Sequence, residues 1–260
     1  IKAVVFRGNI TEIGDGAFSY LYQLEKVNIP TSVERIGSEA FAHCHRFSSL
    51  DVSLLTNLKS IGRNAFGGCR SVSSTMQFPN TLERIGQSAF SGTNVTSVDF
   101  SNTALNGVES YAFSDCAITG DLSFPATLTH IGNGAFDAAT PSSIKLKSSN
   151  MVSLGGTDVF KAAKGTTCTV YVPKGLGETY KADTYWSPFR NNIEEYGHLV
   201  TVTVNDDHGD SYGYATGGGA YEEGETVTLT ASLYEYRNGL FAGWFENNQK
   251  LSGESTYSFT

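Results

Sequence analysis

The chain has 260 residues, 40% of them hydrophobic, and a formal net charge of −8, which allows one large or two modest domains with substantial cores. The charge is uneven: residues 1–197 carry 16 Lys+Arg against 17 Asp+Glu, whereas residues 198–260 carry 2 against 9. That balance lacks the basic stripe a nucleic-acid partner requires, so no nucleic acid is expected, and it places a domain boundary near residue 197. No run of 18 apolar residues occurs, so no membrane span is expected. The first residue is Ile, so the chain is expected to begin after processing or at an artificially chosen boundary.

Taken in order, the chain repeats one box. Ile13-Gly14-Asp15-Gly16-Ala17-Phe18 returns as Ile36–Phe41, Ile61–Phe66, Ile85–Phe90 and Ile131–Phe136. Val108-Glu109-Ser110-Tyr111-Ala112-Phe113 lacks the glycine, and Leu154–Phe160 is a worn copy one residue longer. The steps between box starts are 23, 25, 24, 23, 23 and 23 residues. A fixed period in the twenties predicts a solenoid, in which one short unit stacks on copies of itself.

Each box is preceded by a strand of the form apolar-x-x-apolar-x-apolar, as in Leu24–Ile29, Phe47–Val52 and Val95–Phe100. Val72–Phe78 and Ile118–Phe124 carry one extra residue, near Ser74–Thr75 and Gly120–Asp121, where a bulge is expected. Period-2 alternation points Val27 inward and Asn28 outward. The same register predicts an outward mid-strand column of Val5, Asn28, Asp51, Gln77, Asp99, Ser123, Lys145 and Tyr171. Pro30, Pro79, Pro125 and Pro173 end their strands, because proline lacks the N–H a ladder needs. The box glycine is expected to permit a tight or left-handed turn. Ala-Phe is expected to return the chain through one loop of helix, with the seven box phenylalanines stacked as a spine. Cys44, Cys69 and Cys116 each follow a box Phe by three residues, where other repeats have Thr93 and Ala139. This is a small inward site suited to buried reduced thiols; a Cys44–Cys69 bridge between adjacent repeats is the alternative.

This pattern of strand, Pro-centred turn and Ile-Gly-x-x-Ala-Phe-x-x-Cys resembles the BspA-like leucine-rich repeat family of bacterial surface proteins. The resemblance covers residues 1 to about 173 and, with the end of the solenoid, reaches about 196. It implies a leucine-rich repeat solenoid, a right-handed β/α-type superhelix rich in β-structure with short helical turns. It further implies an extracellular, cell-surface setting.

A solenoid needs its last turn closed. Tyr180, Tyr185, Trp186 and Phe189 form a dense apolar set where the repeats stop, and residues 174–197 are read as the cap. An aromatic sugar platform is the alternative. From residue 198 the pattern changes. Leu199–Val204, Glu225–Ala231, Phe241–Phe245 and Thr256–Phe259 read as strands, with Gly217–Gly219 as a loop. Tyr221-x-x-Gly-Glu-Thr-Val-Thr-Leu229 followed by Phe241-x-Gly-Trp-Phe245 resembles the Listeria–Bacteroides repeat, an internalin-type B-repeat. That implies a small β-grasp-like module over residues 198–260, with its last edge expected to be cut short.

Catalytic chemistry is not nominated. There is no Gly-x-Ser-x-Gly, Walker loop or His-Glu-x-x-His, so neither a cofactor nor catalytic residues are expected. His43 and His45 share a turn and read as surface loop rather than a metal pair. Asn205–Asp210 lacks calcium-loop ligand spacing and reads as a hairpin turn. Eight stacked strands would make a face about 40 Å long, suited to a protein or an extended glycan rather than to a small molecule. The expected function is non-catalytic adhesion or protein recognition by a monomer. The predicted contacts lie on the concave face, at Asn28, Asp51, Gln77, Asp99, Ser123, Lys145 and Tyr171, centred on repeats three to six. The expected partner is a host or bacterial surface protein, or an extended glycan. One rival is a glycan-binding module of a nutrient-uptake system. The other is a glycoside hydrolase using Asp51 and Asp99, about 10 Å apart if two repeats separate them.

Overall fold

The computed structural model describes residues 1–72, 75–204, 213–222, 224–233, 241–247 and 249–260. Residues 1–197 form a parallel-strand solenoid of about eight turns. The longer strands are Ala3–Val5, Lys26–Asn28, Thr75–Gln77, Ser97–Asp99, Leu122–Phe124, Ser143–Leu146, Thr169–Pro173 and Ile193–Tyr196. They pair in parallel in three groups: the first two strands, the next two, and the last four. A second ladder is continuous through seven turns. It consists of the two-residue strands Glu12–Ile13, Arg35–Ile36, Ser60–Ile61, Arg84–Ile85, Gly107–Val108, His130–Ile131 and Ser153–Leu154.

The spine forms as the period requires. Phe18, Phe41, Phe66, Phe90, Phe113, Phe136 and Phe160 stack in that order with centroids 5.1–5.5 Å apart and planes within 16°. From Phe41 to Phe160 each is buried, contributing about 2–3 kcal/mol of transfer free energy per ring. Phe78, Phe100 and Phe124 build a second, shorter column alongside. The four cysteines are free and buried. Burial pushes the Cys44 and Cys116 thiols up to about 11 and Cys69 to about 12. The small inward site has a polar task. The Sγ of Cys44, Cys69 and Cys116 donates to the carbonyl of Phe18, Phe41 and Phe90 at 3.1, 3.0 and 3.2 Å. Thr93 Oγ1 donates to the same Phe90 carbonyl at 2.8 Å.

Three local readings are corrected. First, the box glycine does not supply a left-handed turn: positive φ falls two residues later, at Gly16, Glu39, Asn64, Ser88, Tyr111 and Gly134. Glycine is needed for contact between repeats. A Cβ on Gly62 would meet the Gly37 carbonyl carbon at 2.6 Å, and one on Gly86 would meet the Gly62 carbonyl carbon at 2.7 Å. Gly14, in the first turn, meets nothing within 4 Å.

Second, the Ala-Phe segment is not helical. Residues of positive φ recur at Tyr20, His43, Gly68, Gly92 and Asp115, so alternate N–H groups point along the solenoid axis. Gly16, Phe18 and Tyr20 N–H donate to the Ser38, Ala40 and Ala42 carbonyls at 2.8 Å each. The next turns repeat this at Glu39, Phe41 and His43, and at Asn64, Phe66 and Gly68. A third hydrogen-bond ladder thus replaces the expected helix, and it satisfies backbone groups that burial would otherwise leave costly.

Third, repeat three has no long strand. Asp51 instead caps a 3-10 turn, Val52–Leu54, accepting the Ser53 N–H at 3.1 Å and the Ser53 hydroxyl at 2.6 Å. The same Asp-x-Ser contact recurs at Asp99 and Ser101, where the strand Ser97–Asp99 keeps its ladder, so the cap alone does not remove a strand. The proline turns form as read: Val33, Leu82 and Leu128 N–H donate to the Pro30, Pro79 and Pro125 carbonyls.

At the far end Trp186 lies against Phe160 (5.9 Å), and Tyr180 lies against Trp186 (5.4 Å). The Tyr180 hydroxyl accepts Val152 N–H, and Trp186 Nε1–H donates to the Val152 carbonyl, both at 2.8 Å. Tyr180, Trp186 and Phe189 are buried, so they present no face to a sugar; Tyr185 stays exposed.

Beyond this, His198–Val200 pairs antiparallel with Gly219–Tyr221, so the expected glycine loop ends in a strand. Gly213–Thr216 pairs with Val227–Leu233, which pairs with Thr256–Phe259, and Trp244–Glu246 pairs with Gln249–Ser252. Their core is Val227, Leu229 and Trp244, with Val200, Val202, Tyr221 and Tyr257 packed against it. Asn205–Asp210 and His208 lie outside the described residues, as does Ser74 at the first expected bulge.

Candidate functional site: the exposed strand face

Alternation fixes which side chains leave the core. Val27, Met76, Val98, Ile144 and Val170 point in and are buried, and their neighbours Asn28, Gln77, Asp99, Lys145 and Tyr171 point out. Ladder register sets Val5 beside Asn28, Gln77 beside Asp99, and Ser123, Lys145, Tyr171 and Glu194 in one file. The outward residues therefore stand in two pairs and one file of four rather than in a single column. Asp51 is exposed but stands off the ladder, on its 3-10 turn.

Between the second pair and the file of four, Leu122–Phe124 is not laddered to Ser97–Asp99 among the described residues. Phe100 N–H reaches the Ser123 carbonyl at 3.2 Å instead. This break falls where the extra residue at Gly120–Asp121 was expected to disturb the sheet.

The acidic members are partly engaged. Asp99 accepts the Ser101 N–H at 2.9 Å, as Asp51 accepts that of Ser53. Among the described residues, Asp15 and Glu222 are carboxylates held below their usual range. For Asp15 the causes are the Ser38 N–H and then Arg35; for Glu222 the cause is its hydrogen bond from Lys145.

At the C-terminal end the face is occupied. Lys145 ion-pairs with Glu222 and lies 4.5 Å over the Tyr196 ring. Lys147 reaches Glu225 at 3.8 Å, and Ala220 N–H donates to the Lys147 carbonyl at 3.0 Å. Tyr196 donates its hydroxyl to the Leu146 carbonyl at 2.9 Å and meets Tyr171 edge-on at 6.5 Å. No sequence signal pairs residues 145 and 222, because their partnership is tertiary. What the sequence did offer was the concentration of carboxylates after residue 197.

Other surfaces carry their own columns. Along the second ladder Arg35 bridges Glu12 and Asp15, Lys59 meets Glu34 at 2.8 Å, and Arg84 meets Glu109 at 2.7 Å. On the turn edge Tyr20 stacks on His43 at 5.0 Å and Tyr22 lies tilted against His45 at 5.1 Å, so both histidines pack against rings. Among the described residues, no group of three His, Cys, Asp or Glu could hold a metal, and no helix is long and apolar enough to cross a membrane.

Comparison with known proteins bears on the repeats. Among solved structures, a leucine-rich repeat protein from Bacteroides ovatus ATCC 8483 is similar at 18% identity, with a TM-score of 0.36. That match covers 74% of this chain and 68% of the other. A leucine rich cell surface protein from Faecalibacterium prausnitzii A2-165 is similar at 16% identity and a TM-score of 0.39, covering 76% and 88%. No curated protein matches, and no comparison identifies the tail as a B-repeat. The family described as BspA type leucine-rich repeat region matches in six copies, over residues 1–75 and 49–167. With that match spanning more than half its length, and the spine and ladders repeating at the same period, the chain belongs to the BspA-type leucine-rich repeat family.

Proposed function

We propose that this chain is a non-catalytic, extracellular recognition protein of the bacterial cell surface that binds a partner protein through the exposed strand face. The observation carrying this reading is the outward set. Asn28, Gln77, Asp99, Ser123, Lys145 and Tyr171 differ in charge, size and hydrogen-bonding character, while their inward neighbours stay uniformly apolar. Asp51 joins them from its 3-10 turn. A backbone held by three ladders lets such positions vary without cost to the fold. In this reading residues 1–197 are the recognition domain with their own cap at 174–197, and residues 198–260 are a B-repeat-like module that carries it.

The test immobilises the whole chain and compares capture of host surface proteins with binding to a glycan array. Protein capture whose affinity changes when Gln77 and Ser123 are replaced by Lys supports the reading. Glycan binding sensitive to the same replacements supports the nutrient-uptake alternative instead. The domain division is checked with a fragment of residues 1–197, expected to unfold cooperatively; aggregation of that fragment places the boundary elsewhere.

A further inference from the structure

The C-terminal end of the strand face holds a segment of the chain's own tail, and the contact has the form of a bound peptide. The strand Gly219–Tyr221 runs past Lys147 and gives one backbone hydrogen bond, Ala220 N–H to the Lys147 carbonyl at 3.0 Å. Two carboxylates three residues apart follow, each on its own lysine: Glu222 on Lys145 and Glu225 on Lys147. They are held as a unit, since Glu222 N–H donates to Glu225 Oε2 at 2.6 Å and Glu225 N–H to the Glu222 carbonyl at 3.1 Å. The approach is close enough to demand glycine. A Cβ on Gly219 would meet Ala126 Cβ at 2.9 Å and the Lys147 carbonyl oxygen at 3.2 Å.

The receiving side is built as well. Lys145 is steadied over the Tyr196 ring, and that ring is fixed by its hydroxyl on the Leu146 carbonyl. Burial raises the Tyr196 hydroxyl's pKa, with Glu222 and Glu225 adding to the effect, so the hydroxyl stays a donor. Beneath the tail the lysine side chains keep only 27% and 26% of their exposure.

We propose that Lys145, Lys147 and Tyr196 form an acceptor for an extended acidic peptide segment of a partner protein, and that residues 219–222 together with Glu225 fill it as a built-in competitor. The chemistry is read from the occupant: a main-chain N–H for the Lys147 carbonyl, small residues at the point of close approach, and two carboxylates spaced for two ammonium groups. Tethering gives the tail an effective concentration in the millimolar range, so a free segment of equal quality does not displace it at micromolar concentration. A partner must bring additional contacts elsewhere on the strand face, or the clasp must first be weakened. Ion pairs this exposed are screened as salt rises, the Debye length shortening from about 10 Å at 0.1 M to about 3 Å at 1 M.

The inference rests on the strand face being a recognition surface, but its test needs no partner, so the two fail separately. The probe is a fluorescein-labelled peptide of residues 219–225, Gly-Ala-Tyr-Glu-Glu-Gly-Glu, titrated by anisotropy against the full chain. The E222Q/E225Q and E222K/E225K variants open the clasp. The expected result is binding at least tenfold tighter to these variants than to the parent. That gain disappears when K145Q/K147Q is added, and a peptide with Gln for every Glu does not bind. Equal affinity for parent and opened variants, binding that survives K145Q/K147Q, or no binding to either opened variant overturns the proposal.

Discussion

In the solenoid, Phe41, Phe66, Phe90, Phe113 and Phe136 each lie between two copies of themselves and are buried to 0% exposure. The tail gathers its interior around Val227, Leu229 and Trp244, which keep 3%, 7% and 8%. One region obtains its core by repeating a single contact, and the other by collecting unlike residues from distant strands. In a repeat array each unit draws stability from its neighbours, so a lost contact is felt through nearest-neighbour interfaces. A small β-module has no second copy of its central residue to fall back on. The two regions should therefore break in different ways.

The largest effect is expected from the spine. Phe66→Ala or Phe90→Ala should cost about 3–5 kcal/mol, the range for deleting a buried ring, read as a lowered denaturant midpoint of the solenoid transition. Phe18→Ala should cost less, because Phe18 is only half-buried at the first turn. The contrasting variant is Trp244→Ala, which should abolish the tail's transition and leave the solenoid's in place. A single transition that moves with both substitutions would falsify the two-region description.

Next in size are the box glycines. Gly62→Ala and Gly86→Ala press a methyl group against the preceding repeat's backbone at 2.6 and 2.7 Å, and overpacking of this kind costs about 1–3 kcal/mol. Gly14→Ala, facing open space, should change stability by less than about 0.5 kcal/mol. The same substitution at the same motif position thus tests close approach against backbone freedom. Were φ the reason for the glycine, the Gly14 variant would lose as much as the others.

This pair shows what the residues alone can and cannot convey. Period and alternation are local, so the solenoid, the Phe spine and the inward cysteine position were legible directly. The Ile-Gly-x-x-Ala-Phe box also marked the tight turn correctly. It could not reveal that the glycine serves the neighbouring repeat, because that contact joins residues about 25 positions apart. The loss of the third long strand was not legible, because Asp51-x-Ser53 recurs as Asp99-x-Ser101 where a strand does form, and the apolar spacing of Phe47–Val52 argued for one. In the tail, Thr256–Phe259 was read as a strand and Gly213–Thr216 was missed, its alternation being too short to detect. The clasp between Lys145 and Glu222 spans 77 positions, and only the charge asymmetry hinted at it.

Titration should separate the regions at opposite ends of the pH scale. Cys69 and Cys116 have folded-state pKa values of about 12 and about 11, raised first by burial, against an ordinary value of 9.0. Their neutral thiols are favoured in the folded state. The corresponding stability is fully present below pH 9 and is lost as pH rises from there through the folded values. At pH 10 each should contribute a loss of about 1 kcal/mol, confined to the solenoid and removed in a C69A/C116A variant. Glu222 behaves oppositely. Its folded pKa lies below 4.5 because Lys145 donates to it, so its contribution is present above that value and disappears as pH falls through the lowered one. Acid should therefore loosen the tail's attachment, seen as rising anisotropy decay from a tail label, before the solenoid's own transition moves. An alkaline midpoint shift of equal size in the C69A/C116A variant would assign the solenoid's sensitivity to other groups.

The smallest effect on stability belongs to the residues on which recognition is proposed to depend. Charge reversal at Asp51 or Asp99 is a poor instrument, because each carboxylate accepts a backbone N–H in its own turn. Its loss would mix binding with a capping cost of about 0.5–2 kcal/mol. Gln77 and Ser123 offer a cleaner comparison. Both point outward from laddered strands whose inward neighbours, Met76, Leu122 and Phe124, are buried, so the backbone is held by the core. Gln77→Lys and Ser123→Lys should each leave the midpoint within about 0.5 kcal/mol of the parent. The two substitutions place positive charge beside Asp99 and Lys145 respectively. The affinity of a partner seated on this face should then change several-fold, upward for an acidic segment and downward for a basic one, with the change shrinking as salt rises, because exposed charges are screened. An unchanged affinity in the double variant, together with loss of binding on removal of residues 198–260, would reverse the assignment of the two regions. The acidic tail would be the reader and the solenoid its support.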